Sequence, residues 1–114
     1  MKKIFLLFVI FFALSAGNSF ASIREGDIDG KNGFSFSNIK YSYGSLQITI
    51  RNKTNDDVNF SGDIIFYGSR NKILAVARIQ EGMLKRHSSR KFKASFTRGT
   101  GHTAEKASYL EWDF

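Results

Sequence analysis

The chain has 114 residues, no cysteine and no proline, and a net charge of +7 from 17 basic and 10 acidic side chains. Disulfides and cysteine-ligated metal centres are thereby excluded, and any fold must be held by packing alone. Hydrophobic residues make up 42% of it, with 12 Phe, which is enough for one small packed core.

Lys2 and Lys3 open the chain, and Ile4–Leu14 is an unbroken apolar run. Ser19-Phe20-Ala21 then places small residues at the −3 and −1 positions of a signal-peptidase site. Together these predict a secretory signal peptide over 1–21, cleaved after Ala21, and an exported protein, periplasmic or extracellular. A retained membrane anchor would need about 20 apolar residues, and this run is shorter. With no cysteine after the run, no lipoprotein anchor is expected, and no later run is long enough for a transmembrane segment. Removing 21 of 114 residues leaves 93, which is one domain. Loss of Lys2 and Lys3 leaves 15 basic against 10 acidic residues, a net +5. That excess suits either solubility or an anionic partner, such as envelope phosphates or acidic glycans.

Residues 22–33, SIREGDIDGKNG, are polar and glycine-rich and read as a flexible leader or a first loop. Asp27, Asp29 and Asn32 suggest a calcium loop, but an EF-hand starting at Asp27 would need glycine at Asn32 and glutamate at Asn38. A turn is the better reading. Phe34–Tyr43 alternates with a phase slip at Ser37-Asn38, which predicts a bulge or short turn. Leu46, Ile48 and Ile50 define a half-buried strand whose other face carries Gln47, Thr49 and Arg51. Asn52–Asp57 is a turn built on Asx side chains. Val58–Ser61 resumes the strand pattern, and Gly62 interrupts it.

Asp63–Tyr67 and Ile73–Ile79 are apolar, β-branched and aromatic, joined by the polar Gly68–Lys72. They predict a hairpin at the centre of the fold. Gln80–Arg90 reads as a turn in which Met83 and Leu84 plug the end of the core. In Lys91–Arg98 the residues Phe92, Ala94 and Phe96 face inward, while Lys91, Lys93 and Ser95 face outward. Gly99–Lys106 is expected to be a loop. Ser108–Phe114 closes the pattern, with Leu110, Trp112 and Phe114 on one face and the terminal ring pinned into the sheet.

Seven strands at roughly 8–12-residue spacing predict an all-β chain over 34–114. The expected form is a single antiparallel β-sandwich, Ig-like, with a small β-barrel as the alternative.

Several patterns bear on chemistry. His87 and His102 are the only histidines, so a zinc site would need both together with a carboxylate such as Glu105. They fall in separate polar loops and read as solvated side chains. No G-x-S-x-G elbow is present, and Gly99-Thr100-Gly101 is too short for a phosphate loop. No cofactor and no enzymatic activity are expected. Asn52-Lys53-Thr54 and Asn59-Phe60-Ser61 match the glycosylation sequon, which is short and common. Tyr41, Tyr43, Tyr67 and Tyr109 could stack sugars if clustered outside.

The strongest pattern is Lys85, Arg86, Arg90, Lys91, Lys93 and Arg98, six basic residues in fourteen positions with no acid among them. It reads either as an electropositive strip for phosphate or sulfate groups, or as lysines protecting an edge strand from pairing.

The segments Ile48-Thr49-Ile50-Arg51-Asn52, Ile65-Phe66-Tyr67-Gly68, Ile73-Leu74 and Lys91–Phe96 resemble the small Ig-like envelope domains of the FxLYD-like group. Gly68 stands where that group carries an acidic turn residue, and no Pro-Gly pair precedes the late strand. The resemblance implies an exported sandwich without known chemistry. The expected function is non-enzymatic binding of a protein or cell-envelope component, with a polyanion- or glycan-binding module on the basic strip as the alternative. No specific nucleic acid is expected as partner.

Overall fold

The computed structural model describes residues 23–114. The expected signal peptide and its cleavage after Ala21 lie outside the described residues. Strand makes up 57% and helix 8%, so the chain is all-β as its alternation requires. In chain order the strands are β1 (Gly26–Asp27), β2 (Phe34–Tyr41), β3 (Ser45–Asn52), β4 (Val58–Phe60), β5 (Asp63–Tyr67), β6 (Ile73–Ile79), β7 (Gly82–Leu84), β8 (Ser88–Arg98) and β9 (Tyr109–Asp113). A helical turn, α1 (Gly101–Ala104), lies between β8 and β9. The seven expected strands are present, and β1 and β7 add two short ones.

Seven strands form one antiparallel sheet in the order β1-β2-β3-β8-β6-β5-β9, and β4 and β7 pair as a separate ribbon. The large sheet curls into a half-barrel. Side chains from distant strands meet across its hollow: Trp112 of β9 lies 5.7 Å from Phe36 of β2, ring to ring. The ribbon belongs to the two connections β3-β4-β5 and β6-β7-β8, and it lies over the concave side. From it Phe60 and Leu84, both wholly buried, reach the core. Phe60 packs against Phe34 at 5.7 Å, Phe92 at 5.5 Å and Trp112 at 6.2 Å. Each large side chain buried in this way stabilises the fold by about 1.5–3 kcal/mol.

The β5–β6 hairpin forms with the expected bounds, Asp63 opposite Arg78 and Tyr67 opposite Ile73, but not at the expected centre: it supplies the fifth and sixth strands of the sheet, and β8 stands in the middle. Its turn holds Arg70 and Asn71 in left-handed conformations, each with φ of 58°. The bulge in β2 also forms. Asn38 has φ of 54°, and the register with β3 shifts between Ser37 and Lys40. The shift restores the phase, so Phe34, Phe36 and Ile39 are all buried and Tyr41 is half-buried. By simple alternation these residues would have split between two faces.

Three stretches differ from expectation. The leader 22–33 contributes β1 and the buried Ile28. The Gln80–Arg90 turn contains β7, in which Leu84 is buried but Met83 is 49% exposed. Gly99–Lys106 contains α1, and Thr100 and Thr103 cap it reciprocally. The phenylalanine after β9 keeps 49% of its surface exposed, yet its ring stacks on Trp112 at 5.9 Å.

Candidate anion-binding face

In an antiparallel sheet, residues opposite one another point to the same face. The outer, convex face can therefore be read row by row. Ser35, Arg51 and Ser89 make one row, and Ser37, Thr49 and Lys91 the next. Lys40, Gln47 and Lys93 make the third. The fourth crosses five strands: Ser45, Ser95, Arg78, Asp63 and Asp113. Arg98, Val76, Ile65 and Glu111 follow. Neighbouring strands lie about 4.8 Å apart, and alternate residues along a strand roughly 6.8 Å apart. By this spacing Lys91 and Lys93 lie within a Debye length of about 8 Å of each other, and Lys40 and Arg98 stand further off on the same face.

The four adjacent strands β2, β3, β8 and β6 contain no acidic residue. Among the described residues the ion pairs are Lys53–Asp27 at 3.8 Å, Arg78–Asp63 at 3.0 Å and Arg86–Asp57 at 3.2 Å. Lys40, Lys91, Lys93 and Arg98 therefore face solvent with no carboxylate paired to them among the described residues. The acidic side chains of the convex face stand at its margins, Asp27 on β1 and Asp63, Glu111 and Asp113 on β5 and β9.

The six residues of the sequence strip do not share one face. Lys91 and Lys93 lie on the outer face, and a register shift between Val76 and Ala77 brings Arg98 there too. Arg90 is opposite Ile50 and turns to the other side. Its guanidinium donates to the Met83 carbonyl at 2.7 Å and sits 5.3 Å above the Phe92 ring, clamping β7 to β8. Arg86 is tied to Asp57 by its backbone N–H at 2.8 Å and its guanidinium at 3.2 Å. Those two bonds, the backbone one first, hold the Asp57 carboxyl below its usual 3.8. Lys85 is exposed on the β7–β8 turn.

β8 is the middle strand of seven and pairs with β3 over Ser88–Ser95, but its ladder with β6 covers only Ala94–Arg98, with one further bond from the Gln80 N–H to the Lys93 carbonyl at 2.8 Å. Lys93 and Arg98 therefore guard no free edge, whereas the stretch of β8 around Lys91 is laddered to β3 alone. Conversely, Lys40, Arg51 and Arg78 belong to the face but not to the strip. The signal for Arg51 was its outward phase in β3; the neighbourhood of the three depends on strand order.

Other candidates separate. His87, with a ring nitrogen 2.7 Å from Asn55 Oδ1, precedes β8, and His102 sits on α1 beyond its far end. Among the described residues no cluster of three or more His, Asp or Glu could hold a metal ion. The tyrosines make no common platform. Tyr67 and Tyr109 stack at 4.8 Å, Tyr43 is 81% exposed in the β2–β3 turn, and Tyr41 points inward. Burial, with Glu105 adding to it, pushes the Tyr41 hydroxyl up to about 12. Asn52 of the first sequon is wholly buried, out of reach of a modifying enzyme.

Fold and face together define a small all-β domain with an exposed sheet surface whose four adjacent strands β2, β3, β8 and β6 carry no acid. The chain matches no protein-family model, no curated protein and no solved structure.

Proposed function

We propose that this is an exported, non-enzymatic binding module that takes an anionic cell-envelope component on the convex face of β2, β3, β8 and β6. The observation that carries the reading is the alignment of Lys40, Lys91, Lys93 and Arg98, without paired carboxylates among the described residues, across strands that contain no acid. Such a face attracts polyanions by long-range Coulomb force and by release of their counterions. The predicted signal peptide supports an envelope or extracellular setting for that encounter. A protein ligand would have another place to dock, the open edge of β9, which pairs only with β5.

Heparin affinity chromatography tests the proposal. Retention should weaken steadily with salt, and the double variant Lys91→Glu, Lys93→Glu should elute near the void volume. Retention indifferent to salt and to that double change would overturn the reading and turn attention to the β9 edge.

A further inference from the structure

The β2 bulge leaves a dent in the basic face. Between the pairs Ser37–Thr49 and Lys40–Gln47, two β2 residues, Asn38 and Ile39, stand opposite the single β3 residue Ile48. A ladder with an extra residue on one side is locally disrupted and bends. Here the disruption coincides with a cavity of about 200 Å³ lined by Asn38, Lys40, Gln47, Ile48, Thr49 and Lys91. A water molecule takes about 30 Å³, so the space suits one small polyatomic group with its remaining hydration.

Its lining is complementary to an oxyanion. The residues that line it, from three strands, carry two ammonium groups, two carboxamides and a hydroxyl, and no carboxylate is among them. Lys40 and Lys91 stand on either side of β3, one row apart. Two cations on one small cavity repel each other, and an anion between them converts that repulsion into two charge-assisted hydrogen bonds. The ammonium groups, the Thr49 hydroxyl and the side-chain amides of these residues are all able to donate. A tetrahedral oxyanion offers three outward oxygens to such a set, whereas a planar carboxylate offers two.

We propose that this dent is a seat for a single tetrahedral oxyanion, a phosphate or sulfate group presented by a larger envelope molecule. The proposal rests on the binding function above and gives it a specific point of attachment. Lys93, in the same row as Lys40 but outside the lining, then contributes general attraction, and Lys40 and Lys91 supply the contact.

The test is an amide NMR titration of the purified protein with inorganic phosphate, sulfate and acetate at constant ionic strength. Phosphate or sulfate should give saturable shifts centred on Asn38, Gln47 and Thr49, and acetate should not. Lys40→Ala and Lys91→Ala should each weaken the saturable binding by about fivefold, and Lys93→Ala by less than about twofold. A preserved amide spectrum shows that each variant is folded, and Lys40→Gln repeats the charge loss with more bulk kept. Heparin oligosaccharides and phosphatidylglycerol vesicles then identify the carrier, since binding of the relevant one should depend on Lys40. Linear shifts, equal effects of all three lysines, or Lys40-independent binding of both carriers would overturn the seat. If heparin retention still falls in the Lys91→Glu, Lys93→Glu protein, the basic face survives that failure. If retention is unaffected, both proposals fall.

Discussion

Asn52 is wholly buried at the end of β3, and all four hydrogen-bonding positions of its amide are used. Its Nδ2 donates to the Asp56 carbonyl at 2.7 Å and the Leu84 carbonyl at 3.2 Å, and its Oδ1 accepts from the Thr54 N–H at 2.9 Å and hydroxyl at 2.6 Å. One side chain thus shapes the β3–β4 turn and fastens it to β7. Truncation would strand the Leu84 carbonyl among apolar groups. Asn52→Ala should therefore lower stability by about 2–3 kcal/mol, seen as a lower urea midpoint at an unchanged slope. A shift equivalent to less than about 0.5 kcal/mol, the usual size for a surface substitution, would show that the amide is dispensable. The turn itself was legible in the Asn-rich NKTNDD sequence. The burial of its first residue was not, because the carbonyl that needs it lies 32 residues further on.

At the scale of elements, β8 carries a strong local signal and α1 carries none. The alternation of Phe92 and Ala94 against Lys91 and Lys93 showed both faces of β8, and the structure keeps them. Its place in the middle of the sheet had no local signal. The α1 turn was missed because four residues carry no helical period, and Thr103 stands where a stronger capping box has Glu or Gln. The turn is held tightly. The Gly101 N–H donates to the Tyr43 carbonyl at 3.1 Å, and a Cβ on Gly101 would come 2.0 Å from the Ser42 carbonyl oxygen. That neighbour is backbone and cannot swing away. Gly101→Ala should destabilise by about 2–3 kcal/mol, in the range of overpacking, measured as a lower thermal midpoint. An unchanged midpoint would mean that α1 is free to lift from the β2–β3 turn.

The whole molecule depends on pairings between distant segments: Ile48 lies opposite Phe92, and Ile79 opposite Ala94. Closing such loops before their contacts form makes folding slow, in the range of milliseconds to seconds for all-β domains. The chain has no proline, so the phase of tens of seconds that proline isomerisation produces has no source here. Stopped-flow refolding, with a double jump to vary the time spent unfolded, should show no such phase at any delay. A slow phase growing with delay would point to another slow step in the unfolded chain. The same long-range pairings gather the charge: β2 and β3 bring Lys40 and Arg51 to β8, and β5 and β9 place Asp63, Glu111 and Asp113 at the margin.

From the sequence alone follow the all-β class, the bounds of the β5–β6 hairpin, the bulge at Ser37-Asn38 and the inward and outward faces of β3 and β8. These depend on local rules, since alternation, turn chemistry and β-branched composition act over a few residues. The order of strands was decided only by tertiary structure. It put β8 at the centre, divided six basic residues within fourteen positions between a turn, a clamp, an ion pair and an open face, and joined Lys91 to Lys40 around a dent in that face. Which strands become neighbours is set by how the apolar faces close over one another across the whole chain, and no short stretch of sequence carries that information.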